Sequence, residues 1–311
     1  MTPRLTRHGI VTPLETPRRL HLVDGTYELF RAHFSKRPSH SAPNGSDVKA
    51  TLGVVSSLLA LLQSPEEQVT HLAVAFDNPI RSFRNRLFEG YKTEEGVPPE
   101  LLEQFDLVEQ GVAALGVVVW SMEEYEADDA LASGAAQFKD QVGQVRILTP
   151  DKDLGQCIEG TRVVQVNRGQ NKEIDEAGLR AMRGIGPRSI PDWLALIGDT
   201  ADGIPGLKGF GEKTASALLG KFPHLEDIPP SAVDWKVEVR GAPKLAQTLL
   251  AHREEASLYR KLATLVEDVP LAEPLEALRW AGAPRERFAT FCEVLGATTL
   301  KTRPHRWQEN G

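Results

Sequence analysis

The 311-residue chain is 41% apolar and 25% charged, ordinary for a globular protein and long enough for one large domain, alone or with a smaller appendage. It contains no apolar run of membrane-spanning length, so no membrane partner is expected. Its two cysteines, Cys157 and Cys292, match no metal-ligand spacing and read as structural thiols of a reducing compartment. A net charge of −7 argues against a polyanionic partner, unless the acids are gathered in one place.

Residues 1–19 (MTPRLTRHGIVTPLETPRR) lack the apolar segment of a secretory signal. Rich in Arg, Thr and Pro and nearly free of acid, they read as the disordered tail of a cytoplasmic protein, with a weak organelle transit peptide as the alternative. Beyond them, short β-branched runs of strand length occur at 20–24 (LHLVD), 72–77 (LAVAFD), 116–120 (GVVVW), 145–149 (VRILT) and 162–166 (RVVQV). Helical patterns lie between them at 47–63, 99–115 and 127–140. Continuous apolar strands alternating with helices predict a largely parallel sheet covered on both faces. The stretch 80–100 is polar, carries Arg81, Arg84 and Arg86 close together, and reads as a surface excursion. From about 175 onward the pattern is mostly helical and rich in Gly and Pro, predicting a second, helical region over 176–311.

Three of the predicted strands run into acids: Asp24 after HLV, Asp77 after LAVAF, and Asp151 and Asp153 in ILTPDKD. Ligands of open α/β sheets bind outside the carboxyl ends of the strands, so acids placed there converge. YEADD adds Glu126, Asp128 and Asp129 at a helix start, where one or two acids alone would serve the helix dipole. Asp199 and Asp202 lie three apart in GDTADGIPG and suit the same site. So many carboxylates together repel strongly, and bound cations make the arrangement tolerable. Oxygen ligands without His or Cys select Mg²⁺ or Mn²⁺, and a site this acidic has room for two ions. Setting aside the nine negative charges of these acids leaves the rest of the chain at +2, so net charge does not exclude DNA. The stretch GLKGFGEKTA then reads as a glycine-rich turn opening a helix, suited to a phosphate.

LVDGTYELFRAHF, AFDNPIRSFRNRLFEGYK, YEADD, ILTPDKDL and LIGDTADGIPGLKGFGEKTA, in that order, resemble the 5′ nuclease family: the exonuclease domain of bacterial DNA polymerase I, phage 5′ exonucleases and flap endonucleases. The resemblance runs from about residue 20 to 225 and more faintly to 300. It implies a PIN-like (resolvase-like) nuclease domain over 20–175 with a helical arch at about 80–110, and a helix–three-turn–helix at about 190–225 that holds duplex DNA. Asp24, Asp77, Glu126 and Asp128 then resemble ligands of a first metal, with Asp129 close by. Asp151, Asp153 and Asp202 resemble the second-metal side, supported by Asp199. Lys92 falls on the arch lysine that assists at the scissile phosphate, and Arg84 on a phosphate-binding arginine. Phe30 falls on an aromatic that stacks on a terminal base, with helix core as its alternative, and Arg31 follows it as in relatives.

The turn residues Lys208, Gly209, Gly211, Lys213 and Thr214 are expected to hold the phosphate backbone, with K⁺ as a further ligand of the turn. Two departures stand out. Thr93, Glu94 and Glu95 follow GYK where relatives carry a basic residue, and Gly203 follows Asp202 where they carry Asn. At 311 residues the chain resembles a free-standing, monomeric 5′→3′ exonuclease and flap endonuclease acting on DNA with a free 5′ end. A DNA-binding protein with decayed catalysis and a PIN-type ribonuclease are the alternatives.

Overall fold

The computed structural model describes residues 18–309, so the tail reading for 1–17 lies outside the described residues; residues 18 and 19 already lead into the first strand. Six strands form one sheet in the order β3-β2-β1-β4-β5-β6. Five are parallel: β1 (Arg19–Asp24), β2 (His71–Asp77), β3 (Val118–Met122), β4 (Gln144–Leu148) and β5 (Val163–Asn167). Every residue of β2 is buried, as is all of β1 after Arg19, which is why both read as apolar runs. β6 (Lys172–Ile174) is an antiparallel edge strand of three mostly exposed residues, with no apolar signal to betray it. Strand order reverses between β1 and β4, which opens a crevice at their carboxyl ends.

Helices α1 (Gly25–His33), α2 (Lys49–Gln63) and α5 (Phe105–Ala114) cover one face, with Leu29, Val54, Leu58, Val108 and Val112 buried in the same core as Val23, Val74 and Phe76. α6 (Ala127–Phe138) covers the other, with Ala130, Leu131 and Ala135 against Leu20, Leu22 and Ile147. The helix predicted over 99–115 is broken into α4 (Pro99–Leu102) and α5. At the break the buried Gln104 side chain accepts from the Thr51 amide (3.0 Å) and hydroxyl (3.2 Å) of α2. The excursion from β2 to α5 is therefore poor in helix: α3 (Arg84–Leu87) and α4 are single turns, and 105–114 belongs to the core, not to an arch.

The helical region holds α7 (Glu176–Arg183), α8 (Ile190–Ile197), α9 (Glu212–Leu219), α10 (Ala232–Trp235), α11 (Ala242–Ala251) and α12 (Arg253–Ala263) around Trp193, Leu194 and Trp235. It does not extend to the end of the chain as expected. After α12 the chain returns to the sheet: Leu265, Leu275 and Leu278 join the α6 face. α13 (Arg285–Val294) then buries Phe288, Phe291 and Cys292 in the α2–α5 core. Burial of these apolar groups against α2 and α5, with the Phe291 ring packed over Gly111, outweighs continuity of the helical region.

Candidate metal centre

Asp24 ends β1, Asp77 ends β2, and Asp151 and Asp153 follow β4, so four carboxylates meet at the crevice where the strand order reverses. The start of α6 brings Glu126, its N-cap, and Asp128. The connection from α8 to α9 brings Asp199 and Asp202 from the helical region. There the Asp199 and Ile204 backbones pair in both directions (2.8 and 2.7 Å), and the Asp199 side chain accepts from the Ala201 amide at 3.0 Å. The excursion is docked on this loop, with the Lys92 amide donating to the Asp202 carbonyl at 3.1 Å. Gly203 makes that approach feasible: its φ is +74°, and a Cβ there would lie 2.1 Å from the Gly90 carbonyl oxygen.

Burial is the main force on these acids. It raises Asp24 to about 7, aided by the charges of Asp77 and Asp151, against hydrogen bonds from the Tyr27 amide (2.8 Å) and the Thr149 hydroxyl (2.9 Å). Burial likewise raises Asp77, against the opposing charge of Lys92. It pushes Asp128 and Asp153 well above the ordinary carboxylate range, Asp128 further through Asp151 and Asp24, and Asp153 through Asp151, Asp202 and Asp199. Asp202 is raised by burial, with Lys92 working against it. Glu126 is the exception. Burial pushes it up too, but Lys92 and Arg84 outweigh that and hold it at about 2. It also accepts from the Ser82 hydroxyl (2.6 Å) and the Tyr91 hydroxyl (3.2 Å).

These residues fit a hard divalent cation. Carboxylate oxygens of Asp153, Asp199 and Asp202 lie within 4.8 Å of one another. Asp153 Oδ1 is buried and lacks a hydrogen-bond partner among the described residues. The donor set is all oxygen, with no His or Cys. Lys92 stands between the halves of the cluster, its Nζ 2.8 Å from Glu126 and 3.1 Å from Asp202.

Other expected residues fall elsewhere. Arg84 is not available to a phosphate: it is 1% exposed, its two Nη atoms hold both Asp129 oxygens at 2.7 Å, and it donates to the Leu262 and Thr264 carbonyls. Asp129 is removed from the metal group by the same pairing. Its oxygens also accept from the Glu126 and Val266 amides, so this fully buried carboxylate has every lone pair engaged inside the fold. Phe30 is half-buried against the core, whereas Phe34, one turn on, is 67% exposed. Arg31 is held by Glu28 and Ser57.

Lys208, Gly209, Gly211 and Lys213 are exposed at the start of α9, with Thr214 half-buried behind them, and Gly209 turns the chain at a φ of +94°. Among the described residues neither lysine has an ion-pair partner. Of the two acids that follow GYK, Glu94 is paired with Arg81 at 3.0 Å, whereas Glu95 is exposed and has no ion-pair partner among the described residues. Sequence reasoning missed Lys152, whose Nζ lies 2.6 Å from Asp199; its place inside DKD was the available signal. Both cysteines, Cys157 and Cys292, are free, with burial raising their thiols, Cys292 to about 11.

Two outcomes follow from this geometry. Arg84→Ala should cost about 3–5 kcal/mol of folding stability, because it strands a buried carboxylate. A loss of DNA affinity with an unchanged unfolding midpoint would instead restore Arg84 as a phosphate ligand. Asp24 has a folded pKa raised above its unfolded value, so in chelator its contribution is present at low pH and is lost as pH rises from about 4 to about 7. Asp24→Asn should therefore gain stability relative to the parent across that window and no further above it. A stability difference that stays flat with pH would show that the carboxylate is not so perturbed.

Residues 19–184 match the family described as 5′-3′ exonuclease, N-terminal resolvase-like domain, and residues 185–286 match 5′-3′ exonuclease, C-terminal SAM fold. The DNA polymerase I of Bacillus caldotenax is 34% identical over 283 residues, 90% of this chain and 31% of the relative. That of Pseudomonas aeruginosa is 36% identical over 270 residues, 86% and 29%. The chain thus spans just under a third of the length of these relatives, the nuclease part alone. Among solved structures, T5 5′-exonuclease with bound zinc superposes with a TM-score of 0.62 at 18% identity, covering 89% of this chain and 100% of that one. The catalytic core of Rad2 in complex with DNA substrate gives 0.58 at 14% identity, covering 90% and 88%. At such identities the likeness is one of fold, while the two matched domains and the polymerase relatives place this chain in the 5′-3′ exonuclease family.

Proposed function

We propose that the chain is a divalent-metal-dependent nuclease that hydrolyses DNA phosphodiester bonds near a free 5′ end, as a 5′→3′ exonuclease and a 5′-flap endonuclease, and that it works as a monomer. The observation that carries this reading is the convergence of Asp24, Asp77, Glu126, Asp128, Asp151, Asp153, Asp199 and Asp202 at the sheet's carboxyl edge, with a buried Asp153 oxygen unpartnered. Asp24, Asp77, Glu126 and Asp128 would hold one Mg²⁺ or Mn²⁺, and Asp153, Asp199 and Asp202 the other, with Asp151 between them. Such ions supply Lewis acidity that activates water and stabilises charge on the attacking and leaving oxygens. T5 D15 protein has been crystallised with metal ions, and T5 D15 flap endonuclease in a complex with DNA and metal ions, which supports this reading.

The chain's own groups do the positioning. Lys92, half-buried between the two carboxylate groups, offers a fixed cation to a phosphate that the bound ions would attract. The exposed turn with Lys208, Gly209, Gly211, Lys213 and Thr214 presents amides and two ammonium groups, unpaired among the described residues, to a duplex backbone without reading bases, and its carbonyls suit K⁺.

The deciding experiment compares labelled 5′-flap, nicked, single-stranded DNA and RNA substrates, with Mg²⁺, with Mn²⁺ and with EDTA. Metal-dependent release of product from the 5′ side of DNA supports the reading, and cleavage in chelator, or of RNA alone, ends it. Lys92→Ala should lower the single-turnover rate by about 10²–10³-fold while leaving duplex affinity nearly unchanged.

A further inference from the structure

The two halves of the acid cluster are neutralised differently. Asp24, Asp77 and Asp151 are satisfied by neutral donors: the Tyr27, Ala127 and Asp153 amides and the Thr149 hydroxyl. Among the described residues, none of these three, nor Asp128, has a lysine or arginine at ion-pair distance. Glu126, the remaining carboxylate of that half, lies 2.8 Å from Lys92, which it shares with Asp202, and 3.2 Å from Arg84, which Asp129 holds; the second half, Asp153, Asp199 and Asp202, carries a further lysine of its own. Of its three carboxylates, Asp202 is met by Lys92 at 3.1 Å and Asp199 by Lys152 at 2.6 Å, while Asp153 keeps an unpartnered oxygen. Asp199 Oδ1 is taken by the Ala201 amide, which leaves Oδ2 to face a cation, and Oδ2 is the atom that Lys152 holds.

From this asymmetry we propose that Lys152 is a tethered counter-cation of Asp199, which positions that carboxylate in the metal-free protein and competes with a divalent ion for the Asp153–Asp199–Asp202 group. The inference rests on the reading that these acids bind divalent metal. An ammonium is a compact, strongly hydrated charge on a flexible stem, and Lys152 is 31% exposed, so it has water to retreat into when displaced. Asp199 is only 5% exposed and has no such escape, so without a cation its charge is stranded. Lys152 therefore stabilises the empty site and weakens metal binding in the same half. Lys92 is shared by the two halves, through Glu126 and Asp202, whereas Lys152 burdens only the Asp153–Asp199–Asp202 group, which therefore fills last. Lys152 needs no contact with substrate and acts through Asp199, so it is a positioning residue.

The test is calorimetric titration of the intact chain with Mn²⁺, without DNA, for the parent, Lys152→Met, Asp199→Asn and the double variant, together with metal-free melting. The parent should bind in two classes of unequal affinity. Lys152→Met should tighten the weaker class by about tenfold or more, leave the tighter class unchanged and lower the metal-free melting temperature. In the Asp199→Asn background it should add nothing, because the partner is gone. Equal tightening of both classes would reveal a general charge effect and overturn the inference. So would an unchanged weaker class, or an effect that persists without Asp199. Lys152→Gln repeats the comparison if the Met variant fails to fold. If the parent binds no Mn²⁺ at all, the metal reading falls with it; two classes insensitive to Lys152 would sink this inference alone.

Discussion

Seven aspartates and Glu126, drawn from five separate stretches of chain, are folded into one end of the sheet, and the repulsion among them has to be offset from outside the group. Burial makes the cost larger, because a low dielectric both disfavours each charge and strengthens its effect on the next. The structure answers with two kinds of compensation. Amides and hydroxyls fix carboxylate orientations around Asp24 and Asp77, and lysines neutralise Glu126, Asp199 and Asp202. Neither kind is complete, and the unpartnered Asp153 oxygen marks where a cation is still wanted.

Much of the remaining architecture serves to bring these groups together and hold them. The parallel sheet supplies the crevice, because its strand order reverses between β1 and β4. The helical region contributes Asp199 and Asp202 on one tight loop, and the excursion after β2 contributes Lys92. The two are clasped where Gly203 lets the Gly90 carbonyl come close. Arg84 plays a different part. Buried with Asp129 and tied to the carbonyls of Leu262 and Thr264, it bolts the excursion to α6 and to the chain leaving α12. The segment after α12 then folds back over the sheet domain, so the helical region is anchored at both ends.

The parts legible in the sequence were those with local signals. β1, β2, β4 and β5 are read within a residue or so, because each is dominated by buried apolar residues even where His21, Arg146 or Gln165 interrupts the run, and acids directly after such strands point to the crevice. β3 begins two residues later than its apolar run, because Gly116, at a φ of +74°, is still turning the chain out of α5. What stayed hidden was set by contacts distant in sequence. Nothing local distinguishes Asp129 from Asp128, yet one faces Arg84 across 45 residues and the other faces the acid cluster. Phe288 and Phe291 look like helix core in any sequence, and nothing local says that they join the α2–α5 core and not that of the helical region.

The central claim is that this acid cluster is a binding site for divalent ions, and the most direct measurement is anomalous scattering from crystals grown with Mn²⁺. The account predicts one peak among Asp153, Asp199 and Asp202 and a second among Asp24, Asp77, Glu126 and Asp128, the second persisting at lower Mn²⁺. Crystals of the folded protein in millimolar Mn²⁺ with no peak within coordination distance of these carboxylates would contradict it.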